Sequence, residues 1–402
     1  MSNLNEKIKS ITEEIYDKLV VLRHTIHENP ELSNHEYKTA ALVEKLLTQW
    51  EIPYTRLPDS TAIIGEIKGN LAGTAAIGIR ADMDALPIQE ETNVDYISRN
   101  KGVMHACGHD IHTVNLLGTG YILSRLKDYF GGTFKLVFQP AEEIGGGAQK
   151  IIDFGVLEYP AVTAFLAAHV SEDIKVGQVQ VKAEEVMLAA SSFVITLSGR
   201  GGHASAPHQT DDIVLSAAKL IIELQSIPSR KINHLEPAVI TVGAIHGGTR
   251  GNVIPKELVL EGTIRTQNDK LHQEIHKHIN NILKAQELIT GVKGTAVFRI
   301  GSGAVYNDPI LTKLFIGTAA DVVGKENVLI AKFPGNGSED FARFTKKVPS
   351  VFFRIGVNPN PLDGIEPAHS PKFKAADEAL KTGIPVMTAS ALAFLQEETI
   401  HS

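Results

Sequence analysis

Phe134-Lys135-Leu136-Val137-Phe138 runs directly into Gln139-Pro140-Ala141-Glu142-Glu143. A short, mostly apolar run that stops at a proline reads as a strand. It delivers two carboxylates to the loop beyond its carboxyl end. Three other runs share the design. Ala75-Ala76-Ile77-Gly78-Ile79 precedes Asp82 and Asp84. Ala164-Phe165-Leu166-Ala167-Ala168 precedes His169, and Val351-Phe352-Phe353-Arg354-Ile355 leads into the loop holding His369. Open α/β sheets form their sites outside the carboxyl ends of the strands. The alternation of such runs with helical stretches predicts a mostly parallel sheet covered by helices, with acids and histidines at one edge.

Working outward, Ile8, Ile11, Ile15, Leu19, Leu22 and Ile26 keep helical spacing until Asn29-Pro30. A second helix is expected from about 36 to 50. The middle of the chain reads differently. Strands at 192–197, 238–242, 258–264 and 295–300 enclose helices at about 212–225 and 272–288, the first capped by Asp211 or Asp212. The order β-α-β-β-α-β is the split ferredoxin-like unit. We therefore expect an α/β domain of residues 1–186 and 302–402, with an inserted α+β domain of residues 187–301.

A chain of 402 residues exceeds what one small core organises. Its net charge of -7, with no Lys/Arg-rich block, speaks against nucleic acid as a partner. The single cysteine excludes an internal disulfide and suits a reducing compartment. The first residues lack the basic start and apolar stretch of a signal peptide. No apolar run approaches the roughly 20 residues that span a bilayer. The expectation is a cytoplasmic protein without a membrane partner.

That cysteine sits in Met104-His105-Ala106-Cys107-Gly108-His109-Asp110-Ile111-His112. A thiolate two positions from an imidazole can share a metal ion with it, or act as a nucleophile beside a base. Cys107, His109, Glu143, His169 and His369 offer enough donors for two ions with a bridge. Such a pair can hold a hydroxide and polarise a carbonyl. In Glu142-Glu143 one carboxylate can bind metal while the other acts as general base on the bound water. Each residue has an ordinary reading as well: an inert buried thiol, a core histidine, a solvated acidic pair, aspartates capping a turn. Those readings require separate coincidences at one sheet edge. His105 and His112 read as ligand-orienting groups or polar residues at a helix start.

Together with Asp82-Met83-Asp84-Ala85-Leu86-Pro87, Ala168-His169-Val170 and Ala368-His369-Ser370-Pro371, these segments resemble the M20 metallopeptidase family. The resemblance is to its amidohydrolase branch, which includes N-acyl-amino-acid, hippurate and indoleacetyl-amino-acid hydrolases, and it covers nearly the whole chain. It implies a two-metal catalytic domain with an inserted lid and dimerisation domain, hence a homodimer. It implies that Cys107 bridges two divalent ions (zinc or manganese, with nickel or cobalt as alternatives). His109 and Glu143 would complete one ion's shell, and His169 and His369 the other's. Glu142 is then the base and Asp84 the acid supporting the centre. Asp82 stands where other branches place a histidine ligand. In the inserted domain, His203 of Gly201-Gly202-His203-Ala204 matches an oxyanion-steadying residue. Asn252 and Arg265 match residues that hold the substrate carboxylate. Gly337-Ser338-Glu339-Asp340-Phe341 matches a segment lining the cleft. Asp212, Arg250-Gly251 and Arg343 depart from the common pattern.

The implied activity is hydrolysis of the amide bond of small-molecule N-acyl-L-amino acids. A dipeptidase with the same two-metal site is the near alternative. A metal-free thiol hydrolase built on Cys107, and a non-catalytic binding protein, are the distant ones.

Overall fold

The computed structural model describes residues 2–401. The chain divides into two compact units. One holds the chain up to Val186, Tyr306–Phe333 and the stretch from Asp340 onward; the other holds Met187–Val305 and Pro334–Glu339.

In the first unit, eight strands among the described residues form one sheet. Their spatial order is Tyr54–Arg56, Ile63–Lys68, Gly131–Gln139, Leu71–Asp82, Val162–Lys175, Ser350–Asn358, Val179–Val181, Val328–Ile330. The four central strands, which carry the four runs described above, are parallel. The sheet as a whole is mixed. Tyr54–Arg56, Ile63–Lys68 and Gly131–Gln139 pair antiparallel, and Val179–Val181 lies antiparallel to Ser350–Asn358. The reason is connection length. The few residues joining Tyr54–Arg56 to Ile63–Lys68, or Val162–Lys175 to Val179–Val181, cannot make the crossover that parallel neighbours need.

The central strands are buried on both faces, as their continuous apolar runs require. His109–Arg125 and Ala379–His401 lie on Leu71–Asp82, and Ser2–Glu28 packs on both helices. His109–Arg125 is buried almost all round along most of its length, polar residues included, the mark of a core helix rather than a surface one. No described helix is long and apolar enough to cross a membrane.

In the second unit the strand order is Ala238–Gly247, Glu257–Thr266, Ala189–Ser198, Lys293–Ile300, antiparallel throughout. With Ile213–Arg230 and Asp269–Thr290 packed into the same core, this is the β-α-β-β-α-β arrangement in space. Asp212, not Asp211, caps the first helix by accepting the Leu215 N–H at 3.0 Å. Asp211 instead accepts from the backbone and guanidinium of Arg200.

Candidate metal centre

The centre starts from a glycine. Gly108 ends the loop before His109–Arg125 with φ 77°, left-handed backbone that favours glycine. A Cβ there would stand 2.4 Å from Val170 Cγ2. Its absence lets the helix start close against the strand that carries His169. His169 was expected just past a strand end; the strand in fact continues to Lys175. The register explains how it still reaches the edge. Leu71–Asp82 pairs only as far as Arg80 with Ala167, while Ser350–Asn358 continues with Arg354 opposite His169. His169 therefore stands where its neighbour on one side has stopped.

Among the described residues four groups of donors lie close enough to hold an ion, and two of them share a thiol. The donor atoms of Cys107, His109 and His169 lie within 4.8 Å of one another, and so do those of Cys107, Glu143 and His369. Cys107 is common to both. The expected pairing of His109 with Glu143 is met as well, in a further group with Glu142, whereas the expected pairing of His169 with His369 is not. Among the described residues no such group holds His169 and His369 together. The reason lies in the elements. The helix start packs on the His169 strand, whereas the His369 loop is tied to residues before Cys107 through the His369 N–H to the Ala106 carbonyl at 2.8 Å.

Ligand atoms on one tetrahedral ion stand about 3.3–3.8 Å apart, given bonds of about 2.0–2.3 Å. Here Cys107 Sγ is 3.4 Å from His169 Nε2, and His369 Nε2 is 3.5 Å from Glu143 Oε1. His109 Nε2 is 3.8 Å from Glu143 Oε1. Neither of these last two atoms, both buried, has a hydrogen-bond partner. His109 donates from Nδ1 to the Asp84 carbonyl at 2.8 Å, which turns the Nε2 lone pair inward. His169 Nδ1 donates to the Val170 carbonyl at 2.7 Å, which turns its Nε2 toward Cys107 Sγ. Two buried electron-pair donors facing each other at 3.8 Å fit a cation between them.

Electrostatics agree. Burial pushes the His169 imidazole down to about 4, so it is neutral at pH 7, as a ligand must be. Burial works against charge on His109 as well, but Asp82, Cys107 and Asp84 outweigh it and draw a proton there. The spot attracts positive charge. Burial also pushes the Cys107 thiol up, and a divalent ion would deprotonate it outright.

Asp84 is not among these ligand groups. Its carboxylate accepts the Glu142 N–H at 3.1 Å, the Glu143 N–H at 3.0 Å and the Ser33 hydroxyl at 2.6 Å. It holds the base and the ligand by their backbone. His112 is no ligand either: Nδ1 donates to Asp82 at 2.6 Å and Nε2 accepts the Val170 N–H at 2.8 Å, so both ring nitrogens are used. His105 is buried with neither nitrogen bonded. Sequence reasoning missed Glu36, which is fully buried and accepts the Ala141 N–H at 2.9 Å, just where the backbone turns left-handed (φ 54°) before Glu142. Nothing local marks it, because its partner is 105 residues away.

The three inserted-domain candidates separate into two groups. His203 pairs with Val253 in a short ladder beyond the Ser198–Glu257 end of the sheet, and Ala204 N–H donates to the Asn252 carbonyl. His203 Nδ1 accepts the Ser205 N–H at 3.1 Å, so its Nε2 carries the proton and is available as a donor. Arg265 lies at the opposite end, opposite Ala190 and Val239. Eight residues of extended strand, about 27 Å, separate it from Glu257.

Residues 78–393 match the sequence profile of peptidase family M20/M25/M40. The chain is 35% identical to "Thermostable carboxypeptidase 2" of Saccharolobus solfataricus, over 98% of this chain and 99% of that one. It is 36% identical to the N-acetyl-L-cysteine deacetylase of Bacillus subtilis, over 90% and 85%. Among solved structures it superposes on the Bacillus subtilis YXEP protein, described as a dinuclear metal-binding peptidase, with TM-score 0.84 and 31% identity, covering 96% of this chain and 99% of that one. On the strength of these matches, the chain belongs to peptidase family M20/M25/M40, in its amidohydrolase branch, and is an amide hydrolase.

Proposed function

We propose that this chain removes the acyl group from N-acyl-L-amino acids at a two-metal centre. The observation that carries the reading is the shared thiol: Cys107 belongs to two ligand groups, one with His109 and His169 and one with Glu143 and His369. These five residues would hold the ions, zinc or manganese suiting a mixed Cys/His/Glu set. The ions would supply Lewis acidity and an activated water.

The chain's own residues do the rest. Glu142 follows Ala141 on the turn that Asp84 and Glu36 hold, and its Oε1 accepts the Asp340 N–H at 3.2 Å. A carboxylate fixed there accepts the proton of the attacking water and passes it to the leaving amine. His203, with Nε2–H free, steadies the developing oxyanion, while Arg265 and Asn252 bind the substrate carboxylate. His203, in the short two-stranded ladder, and Arg265, at the far end of the four-stranded sheet, stand well apart within the second unit. That favours a homodimer in which a second copy supplies one end. The similarity to both a deacetylase and a carboxypeptidase supports a leaving group common to the two: an amino acid with a free carboxylate. A dipeptide substrate presents the same group. The reading also takes the protein as cytoplasmic, where the lone thiol stays reduced.

The test is a panel of N-acetyl, N-benzoyl and N-indoleacetyl amino acids with a dipeptide, run on metal-quantified protein. We expect about two ions per chain, chelator-sensitive amine release, and a loss of about a thousandfold in kcat for Glu142→Gln with metal retained. Chelator-resistant turnover would sink the two-metal reading and bring Cys107 back as a nucleophile.

A further inference from the structure

Beyond the ligands, the first unit contains a buried polar chain that the reaction as described does not use. It begins at Asp340, 1% exposed. Its Oδ2 accepts from Gln139 Nε2 at 2.9 Å and from the Ala148 N–H at 2.8 Å, and its Oδ1 accepts from Arg343 Nε at 2.9 Å. Gln139 Oε1 accepts from Arg80 Nε at 2.8 Å. Arg80 NH1 pairs with Asp82 Oδ2 at 2.9 Å, both side chains fully buried. Asp82 Oδ1 accepts from His112, and His112 Nε2 accepts the Val170 N–H. Val170 is the residue whose carbonyl holds His169.

The cost of this arrangement is informative. An arginine and two aspartates out of water are expensive unless every bond is made. An apolar core of similar volume would serve stability at least as well. The chain has a geometric consequence that such a core would not have. One end fixes the backbone N–H that Glu142 Oε1 accepts, and the other fixes the backbone carbonyl that orients His169. Gln139 is its centre: it is the last residue of its strand, three before Glu142, and its amide donates to one charged partner and accepts from the other.

We propose that Asp340, acting through its bond to Gln139, is a positioning residue for Glu142, holding the carboxylate in the one orientation from which it can take the proton of the attacking water. The proposal rests on the reading of Glu142 as the base. Its physical content is pre-organisation. A base free to rotate is misplaced in most encounters, and a misplacement of about 1 Å costs on the order of a hundredfold in rate.

The experiment measures kcat, KM, bound metal and thermal midpoint on the panel substrate that the wild type hydrolyses fastest. The variants are Asp340→Ala, Asp340→Asn and Gln139→Glu, each alone and combined with Glu142→Gln. Gln139→Glu conserves volume but sets a carboxylate against Asp340, so it carries the test even where Asp340→Ala fails to fold. We expect Gln139→Glu and Asp340→Ala to lose about 10- to 100-fold in kcat, with KM within about threefold and metal content unchanged. Asp340→Asn can keep its oxygen toward Gln139 and Ala148 and shed only the partly exposed Arg343, so it should rescue most of the rate. In the Glu142→Gln background the same substitutions should cost less than about twofold, because a positioning residue has nothing left to position. A full loss persisting in that background overturns the proposal. So does a loss that follows metal content or thermal midpoint. Wild-type turnover in Gln139→Glu beside an inactive Glu142→Gln overturns it alone. An active Glu142→Gln overturns the base reading and this proposal together.

Discussion

At the scale of single residues, the centre depends on which atom of each side chain is already engaged. His109 and His169 each donate one nitrogen to a backbone carbonyl and so present the other. His112, one helical turn from His109, has both nitrogens bonded and is removed from the ligand set. The same logic governs His27, away from the ligands. Its Nδ1 donates to Asp110 at 2.8 Å and its Nε2 faces Glu90 at 3.3 Å, the geometry of an imidazolium. Burial opposes that charge, but Asp110 and Glu90 outweigh it and raise the His27 pKa. A raised folded-state pKa gives stability that is fully present below the unfolded value of about 6.5 and is lost as pH rises through the folded value. His27→Gln should therefore destabilise the protein more at pH 6 than at pH 9. Urea midpoints of both proteins at the two pH values check this, and an equal gap at both would refute a charged His27.

At the scale of elements, the decisive joint is the start of His109–Arg125. Gly108 permits a left-handed turn and a close approach to Val170 in one residue. Gly108→Ala adds a Cβ in the wrong backbone region and in the path of Val170 Cγ2. The expected cost is about 2–3 kcal/mol, from strain and overpacking together. Metal affinity should fall as well, because relief of the clash pulls Cys107 and His109 away from His169. Denaturation of metal-free protein, with metal titration of the refolded variant, separates the two effects. A variant as stable as the wild type would show that the helix start has room to move. The base turn is the second joint. Three consecutive amides, at Ala141, Glu142 and Glu143, donate to the buried carboxylates of Glu36 and Asp84. An element of irregular backbone is thereby held as firmly as a strand end.

At the scale of the whole molecule, the separation of His203 and Asn252, at the short ladder, from Arg265, at the far end of the four-stranded sheet, makes a homodimer testable by mixing. His203→Ala and Glu142→Gln should each be nearly inactive. If the active site takes His203 from a second copy, co-refolding them should return up to about a quarter of wild-type activity, since half the dimers would hold one intact site. No recovery would place all contacts within one chain. Much of this molecule was legible before any coordinates. The four apolar runs ending in acids and histidines marked the parallel centre of the sheet, because a strand buried on both faces has to be apolar throughout. The β-α-β-β-α-β order was likewise readable from local periodicity. The donors Cys107, His109, Glu143, His169 and His369 could be named because metal chemistry restricts the residue types. Which donors lie close together could not be read. That depends on register, on where the Leu71–Asp82 strand stops pairing beside His169, and on the Gly108 contact with Val170. Glu36, Arg80, Gln139 and Asp340 were invisible as site residues for a related reason. A buried polar side chain acquires its role from partners that folding brings to it across tens to hundreds of residues, and no local pattern encodes that meeting.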